Sequence, residues 1–232
     1  MKKISIIIPV FNEKSTILEL LAKVDLADLG EIEKEIIIVN DCSSDGTAEI
    51  LRQLENRYKI FHHDKNFGKG RALRTGFAAA TGDILAVQDA DLEYDPKDFK
   101  SMLAKMIEAD AQVVYGSRRL QHSYFKSRHS GHIFAIGGIV LTWLANFLYG
   151  LKITDESTCY KMFKADLLKS IDLECERFEF CPEITAKIAK RGVAIYEVPI
   201  SYNPRHKKEG KKINWQDGLE AIWTLLKHRF KS

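Results

Sequence analysis

Two apolar runs rich in β-branched residues, ISIIIPV at residues 4–10 and EIIIVN at residues 35–40, constrain the fold of this chain more than any other feature. A strand wet on one face alternates apolar and polar residues. An uninterrupted apolar run must be covered on both faces, as inside a parallel sheet. Helical spacing follows each run, over 15 to about 26 and then to about 55, the second helix capped by Ser44 or Asp45 of DCSSDGT. A third strand near 59–62 leads through NFGKG into a helix over 71–81. A fourth strand covers 84–87, a helix 96–109 and a fifth strand 111–117. This alternation predicts an α/β chain with a doubly wound, mostly parallel sheet, whose ligands sit beyond the carboxyl ends of the strands.

The fourth strand runs into GDILAVQDADLEYDP, residues 82–96, where apolar residues give way to Asp89, Asp91, Glu93 and Asp95. Carboxylates one residue apart repel unless a cation lies between them. Hard ions such as Mg²⁺ or Mn²⁺ commonly use one or two carboxylates plus substrate phosphates. Asp89-Ala90-Asp91 therefore reads as a metal-diphosphate clamp, the small Ala90 letting another group approach the backbone. The competing reading is an acidic turn capping the helix that starts near Pro96. The other strand ends offer Pro9, Phe11, Asn12 and Glu13, then Val39, Asn40 and Asp41. These suit a base and ribose better than a pyrophosphate. No Gly-x-Gly-x-x-Gly follows the first strand and no GxxxxGK[ST] occurs, which argues against dinucleotide and P-loop folds.

A chain of 232 residues, 45% hydrophobic and 29% charged, buries a full core as one sizeable domain. Cys42, Cys159, Cys175 and Cys181 form no CxxC pair and no leader pattern precedes Ile4, so free thiols and a cytoplasmic setting are expected. The net charge of +3 is unevenly spread: residues 1–115 hold 15 Lys and Arg against 20 Asp and Glu, and residues 116–232 hold 20 against 12. A basic second half suggests an anionic partner, whether phosphate ligand, acidic membrane or nucleic acid. Basic runs without interleaved aromatics count against nucleic acid.

After Ser117 the cations Arg118, Arg119, His122, Lys126, Arg128, His129 and His132 lead into an uncharged stretch at 133–151. Gly137, Gly138, Thr142, Asn146 and Gly150 argue against a membrane span. A helix lying in the membrane interface is expected, with a buried core helix as the alternative. TDESTCYKMFKADLL then reads as turn, short strand and helix, followed by a helix at 183–191 and a strand at 193–199. The basic loop of about 203–212 is expected to close over a diphosphate, or else is merely solvated. A last helix over 215–230 carries Leu219, Ile222, Trp223 and Leu226 on or near one face.

Together SIIIPVFNE, IIIVNDCSSDGT, NFGKGRALRTGF, GDILAVQDADLEYDP, VVYGSR and the segment from DESTCYKMF to EVPISY resemble family 2 glycosyltransferases over nearly the whole chain. The resemblance is to the branch of dolichyl-phosphate mannose synthases and polyprenyl-phosphate sugar transferases. It implies a GT-A fold, a nucleotide-sugar donor carried on GDP or UDP, Mg²⁺ or Mn²⁺, inversion at the anomeric carbon and a polyprenyl phosphate acceptor. Carried onto matching positions, Pro9, Phe11, Glu13, Val39 and Asp41 look like the base and ribose pocket, with Asn66, Gly68 and Lys69 beside it. Asp89, Ala90 and Asp91 would hold metal and diphosphate. Glu93 stands where similar mannose synthases often have Gln and adds a carboxylate toward the metal; Phe11 replaces a frequent Tyr.

The resemblance divides the chain into a nucleotide-sugar half, 1–117, and an acceptor half, 118–232, with an interface helix at about 130–151. Many relatives carry C-terminal membrane helices that have no counterpart here; peripheral attachment is expected from the uncharged stretch at 133–151 beside Arg118 and Arg128. A lipid phosphate is already anionic near neutral pH, so no general base is needed. Cations must instead hold two anions close: Arg118 and Arg128 for the acceptor phosphate, and Arg205, Lys211 and Lys212 from the loop. A hydroxyl acceptor would require a base such as Asp155 or Glu156, and a non-catalytic nucleotide or nucleic-acid binder is the remote alternative.

Overall fold

The computed structural model describes residues 1–120, 132–205 and 215–231, with backbone alone for 132–135. Its strands are β1 (Lys3–Val10), β2 (Glu33–Asn40), β3 (Lys59–His62), β4 (Ile84–Val87), β5 (Val113–Ser117), β6 (Lys161–Lys164) and β7 (Ile195–Pro199). The helices are α1 (Ile17–Leu26), α2 (Thr47–Arg52), α3 (Lys69–Ala79), α4 (Phe99–Glu108), α5 (His132–Tyr149), α6 (Ala165–Lys169), α7 (Phe180–Lys190) and α8 (Trp215–Phe230), with a 3₁₀ turn at Pro96–Asp98. One sheet of order β3-β2-β1-β4-β6-β5-β7 holds all seven strands. β6 alone runs antiparallel, to β4 and to β5.

The apolar runs are covered on both faces, as their composition demands. Ile4, Ile6, Ile8 and Val10 join one core cluster with residues of α1 and α4, while Ile7, Ile37 and Val39 join a second with Ala72, Leu73 and Phe77 of α3. β1, β2 and β4 therefore lie centrally, with their carboxyl ends side by side. Three of the four non-glycine residues with positive φ among the described residues gather there: Asn12 follows β1 (φ 52°), Cys42 follows β2 (φ 60°) and Leu92 follows β4 (φ 62°). Left-handed backbone at such residues persists only where surrounding contacts hold it, and it clusters at functional sites. Cross-loop bonds supply the hold here, from Ser44 N to Asn12 Oδ1 (2.8 Å) and from Lys14 N to Asp45 Oδ2 (3.1 Å).

Helix α3 starts two residues before its expected position because Gly68, at φ 97°, begins the turn and accepts from Ala72 N. A Cβ at Gly68 would meet the Glu176 carbonyl oxygen at 2.5 Å. That close approach lets the 176–177 carbonyls accept from Gly70 N and Arg71 N, both at 2.9 Å, capping α3 with protein.

Helix α8 turns Leu219 and Trp223 away from the core. It buries Ala221, Thr224, Leu225 and His228 against α5 and α7, and leaves Leu219 and Trp223 57% and 65% exposed. Its docking is partly polar, with Tyr149 Oη donating to the Leu225 carbonyl at 2.6 Å. Helix α5 likewise turns Thr142 and Ala145 inward and exposes Ile136, Ile139, Val140, Trp143 and Phe147. Among the described residues no helix is long and apolar enough to cross a membrane.

Candidate active site

A cavity of about 810 Å³ opens at the carboxyl ends of β1, β2 and β4. Pro9, Phe11, Glu13, Asp41, Asn66, Gly68, Lys69, Asp89, Ala90, Asp91, Glu93, Arg118 and Arg205 all line it, so the strand ends separated in sequence converge. Val39 does not reach the cavity. Its side chain alternates into the α3-side core and is fully buried, because the register of β2 gives Asn40 and Asp41 the exit positions. Arg128, Lys211, Lys212 and nearly all of the basic loop lie outside the described residues.

Asp41 organises one wall. Its carboxylate accepts from Gly68 N (2.7 Å) and Phe67 N (3.0 Å) and pairs with His63 Nδ1 (2.7 Å), tying β2 to the NFGKG loop. That loop delivers Lys69, whose ammonium lies 2.5 Å from Asp89 Oδ1, an ion pair off the hydrogen-bond axis, and donates to Cys159 Sγ at 2.9 Å. Burial is the largest single influence and works against the Lys69 charge, but Asp89 together with the Cys159 and Cys181 sulfurs outweighs it and holds its pKa well above the usual value. Asp95, by contrast, caps the 3₁₀ turn by accepting from Lys97 N at 3.0 Å. The helix-capping reading thus applies to Asp95, leaving Asp89 and Asp91 facing the cavity.

Asp91 is the strained member of the pair. Burial, reinforced by Asp89 and Glu93 and opposed by Arg205, lifts its pKa to about 7. Arg205 reaches it from beyond β7: Nη2 donates to Asp91 Oδ2 at 3.1 Å and both terminal nitrogens bond Glu13, at 3.0 and 3.1 Å. Glu93 is committed elsewhere, since Tyr202 Oη and Arg205 N donate to its two oxygens at 3.0 and 2.9 Å. It anchors the segment after β7 rather than extending the pair as a free third carboxylate. No group of three or more His, Cys, Asp or Glu suited to a metal occurs among the described residues. Asp89 and Asp91 nonetheless fit a hard divalent ion, as two oxygen donors with excess negative charge, provided a diphosphate and water complete its shell.

Arg118 is also committed. Its Nε and Nη2 bond the two oxygens of fully buried Asp155, both at 2.7 Å, and its guanidinium lies over the Tyr202 ring. Asp155, held by this clamp below the usual carboxylate range despite its burial, is unsuited to act as a base. Glu156 is different: it lines the cavity, its Oε1 is buried without a hydrogen-bond partner, and burial raises its pKa. Sequence reasoning assigned no role to Arg119, Ser157 or Cys159, which also line the cavity. Their signal was local: they adjoin Arg118 in GSRR and occupy the DESTC turn. All four cysteines are free, Cys159 and Cys181 with sulfurs 3.9 Å apart.

The description "Glycosyl transferase family 2" belongs to the family model that matches residues 5–172, which spans β1 through the DESTC turn and α6. The chain belongs to this family. It is a glycosyltransferase, and among its relatives is a dodecaprenyl-phosphate galacturonate synthase of Rhizobium johnstonii, 27% identical over 99% of this chain and 68% of that protein. Another is a dolichol-phosphate mannosyltransferase of Pyrococcus furiosus, 28% identical over 99% of this chain and 63% of that one. The chain thus spans about two thirds of the length of these relatives. The fold is shared with glucosyl-3-phosphoglycerate synthase of Mycobacterium tuberculosis in complex with Mn²⁺, UDP and phosphoglyceric acid, at TM-score 0.74 and 20% identity, covering 99% of this chain and 79% of that one. A UDP-glucose complex of that synthase aligns at TM-score 0.73.

Proposed function

We propose that this glycosyltransferase moves a sugar from a nucleotide-diphosphate sugar to a polyprenyl phosphate at a membrane surface. The observation that carries this reading is continuity: the cavity holding Asp89 and Asp91 extends to Gly137, Gly138 and Leu141 of α5 and to Trp215 and Gly218 of α8, the two helices with exposed apolar faces. An acceptor with an anionic head and a long apolar tail fits such a path. Relatives named for dodecaprenyl-phosphate and dolichol-phosphate chemistry support the same acceptor class. Exposed apolar residues on paired helices, with cations nearby, suit reversible attachment to the interface of an anionic bilayer.

In this reading the base and ribose lie against Phe11 and the loop that Asp41 organises, and the diphosphate lies beside Asp89, Asp91 and Lys69. Asp89 and Asp91 would hold a divalent ion, which would supply positive charge against the charge developing on the departing nucleoside diphosphate. Arg205 then exchanges part of its Asp91 contact for the diphosphate, while Glu13 keeps the guanidinium oriented. The acceptor phosphate is its own nucleophile, so the buried Arg118–Asp155 clamp has to shape the site and not to move a proton.

A second reading has one observation in its favour. Glu156, with an unpartnered buried oxygen and a raised pKa, is suited to take a proton from a hydroxyl acceptor. Transfer assays with GDP- and UDP-sugars, Mn²⁺ or Mg²⁺, and farnesyl phosphate, farnesol or 3-phosphoglycerate decide between the two. Product on farnesyl phosphate alone is expected; product on farnesol or 3-phosphoglycerate, with none on farnesyl phosphate, overturns the lipid-phosphate reading.

A further inference from the structure

The cations around the cavity are mostly spent. Arg118 is held by Asp155, Arg205 by Glu13 and Asp91, and Lys69 by Asp89 and Cys159. Among the described residues that line the cavity, Arg119 is the cation without an ion pair. Its Nη1 donates to Thr142 Oγ1 (3.0 Å) and to the Thr154 carbonyl (2.7 Å), which fixes the plane of the guanidinium between α5 and the turn before β6. Its Nε and Nη2 are buried with no hydrogen-bond partner, and it forms no ion pair among the described residues. Burying guanidinium donors unpaired is costly, and the cost is recovered when an anion arrives.

The surroundings of these two nitrogens fit a phosphate. A Cβ at Gly138 would lie 2.9 Å from Arg119 Nη2 and 3.8 Å from Ser157 Oγ, so a guanidinium edge and a hydroxyl approach one bare patch of helix α5. Arg119, Ser157 and Gly138 line the same cavity as Asp89 and Asp91. A planar guanidinium edge matches two phosphate oxygens; the Ser157 hydroxyl, which donates to Glu156 Oε2 at 3.1 Å, matches one more once it rotates away from that carboxylate. The patch also lies where the cavity meets the helix whose outer face is apolar. We infer that Arg119 and Ser157, meeting over Gly138, form the site that binds the phosphate monoester of the acceptor. This rests on the glycosyl-transfer reading of the cavity and moves the acceptor anion from Arg118 to Arg119. The phosphate belongs either to a lipid or to a soluble phosphate ester, and the site takes the chemistry that the two share.

The test uses titration calorimetry with farnesyl phosphate, 3-phosphoglycerate, farnesol and a nucleoside diphosphate, on the intact chain and on Arg119→Gln, Arg119→Lys and Gly138→Ala. Losing a charge-assisted contact is expected to weaken the phosphorylated probe at least about 10-fold in Arg119→Gln. Arg119→Lys should recover part of this loss, and Gly138→Ala, which crowds Nη2, should weaken the same probe. Nucleoside diphosphate affinity should stay unchanged in all three. With transfer as readout, KM for the acceptor rises while KM for the donor holds. Should Arg119→Gln fold poorly, Gly138→Ala and Ser157→Ala carry the test.

Wild-type affinity for the phosphorylated probe in Arg119→Gln and Gly138→Ala overturns the site, and so does an equal loss of nucleoside diphosphate binding. Arg119-dependent binding of 3-phosphoglycerate, with none of farnesyl phosphate, supports the site and overturns the lipid acceptor. Arg119-independent use of farnesyl phosphate does the reverse.

Discussion

Asp91 carries a conflict that only function explains. It is a buried carboxylate beside two others, with its pKa lifted to about 7, and such a group costs the folded state stability. Asp91→Asn is therefore expected to keep or raise the melting temperature while turnover falls at least about a hundredfold, since stabilising developing charge is worth several kcal/mol. Calorimetric melting beside a transfer assay checks both halves. Arg118 should behave in the opposite way. Removing it leaves fully buried Asp155 without its partner, so Arg118→Ala is expected to lower the unfolding free energy by about 3 kcal/mol in denaturant titrations. Two neighbouring arginines thus separate: one maintains the fold, and the other is poised for a ligand. The sequence GSRR presents them as equals, because which of them meets Asp155 depends on a turn 37 residues away in the chain.

Elements α5 and α8 invert the usual relation between apolar residues and burial. Ile139, Trp143 and Trp223 face outward, so replacing one by Glu costs the fold little. Trp143→Glu and Ile139→Glu are expected to leave the melting temperature within a few degrees of wild type while abolishing sedimentation with anionic vesicles. Retained sedimentation would assign these faces another role. The inner side of α8 is sensitive to pH instead. Buried His228, 3.8 Å from Glu183, has its pKa lowered by burial and by Lys187, from a usual value of 6.5. A depressed histidine contributes stability that is present above pH 6.5 and lost as the pH falls below it, because the unfolded chain then binds the extra proton. Going from pH 7.5 to 5.5, wild type should lose more melting temperature, or gain less, than His228→Gln; Asp91, whose pKa of about 7 acts in the opposite direction over the same window, is common to both and cancels in the comparison.

For the whole molecule, the cavity joins the ends of β1, β2 and β4 to α5 and α8, so a ligand that fills it ties the sheet edge to these helices. A nucleoside diphosphate with Mn²⁺ at about 100 times its Kd should add about 2.7 kcal/mol to stability by mass action. The increment should be lost on chelation and absent in Asp89→Ala. A shift that survives chelator would show donor binding without metal.

The sequence by itself determined the central sheet, because runs such as ISIIIPV and EIIIVN are soluble only when both faces are covered. It also determined that Asp89 and Asp91 fall at a strand's mouth, since strand length and chain direction are local properties. Tertiary structure decided the rest. Val39 turned into the core because side-chain alternation is set by what packs on each face. Glu93 went to Tyr202 and Arg205, and Arg118 to Asp155, because an ion pair forms with whichever countercharge the fold brings within reach. The outward apolar face of α8 was legible as a stripe but not as a direction. Periodicity reports that a face exists, and only its neighbours decide whether that face meets protein or the outside.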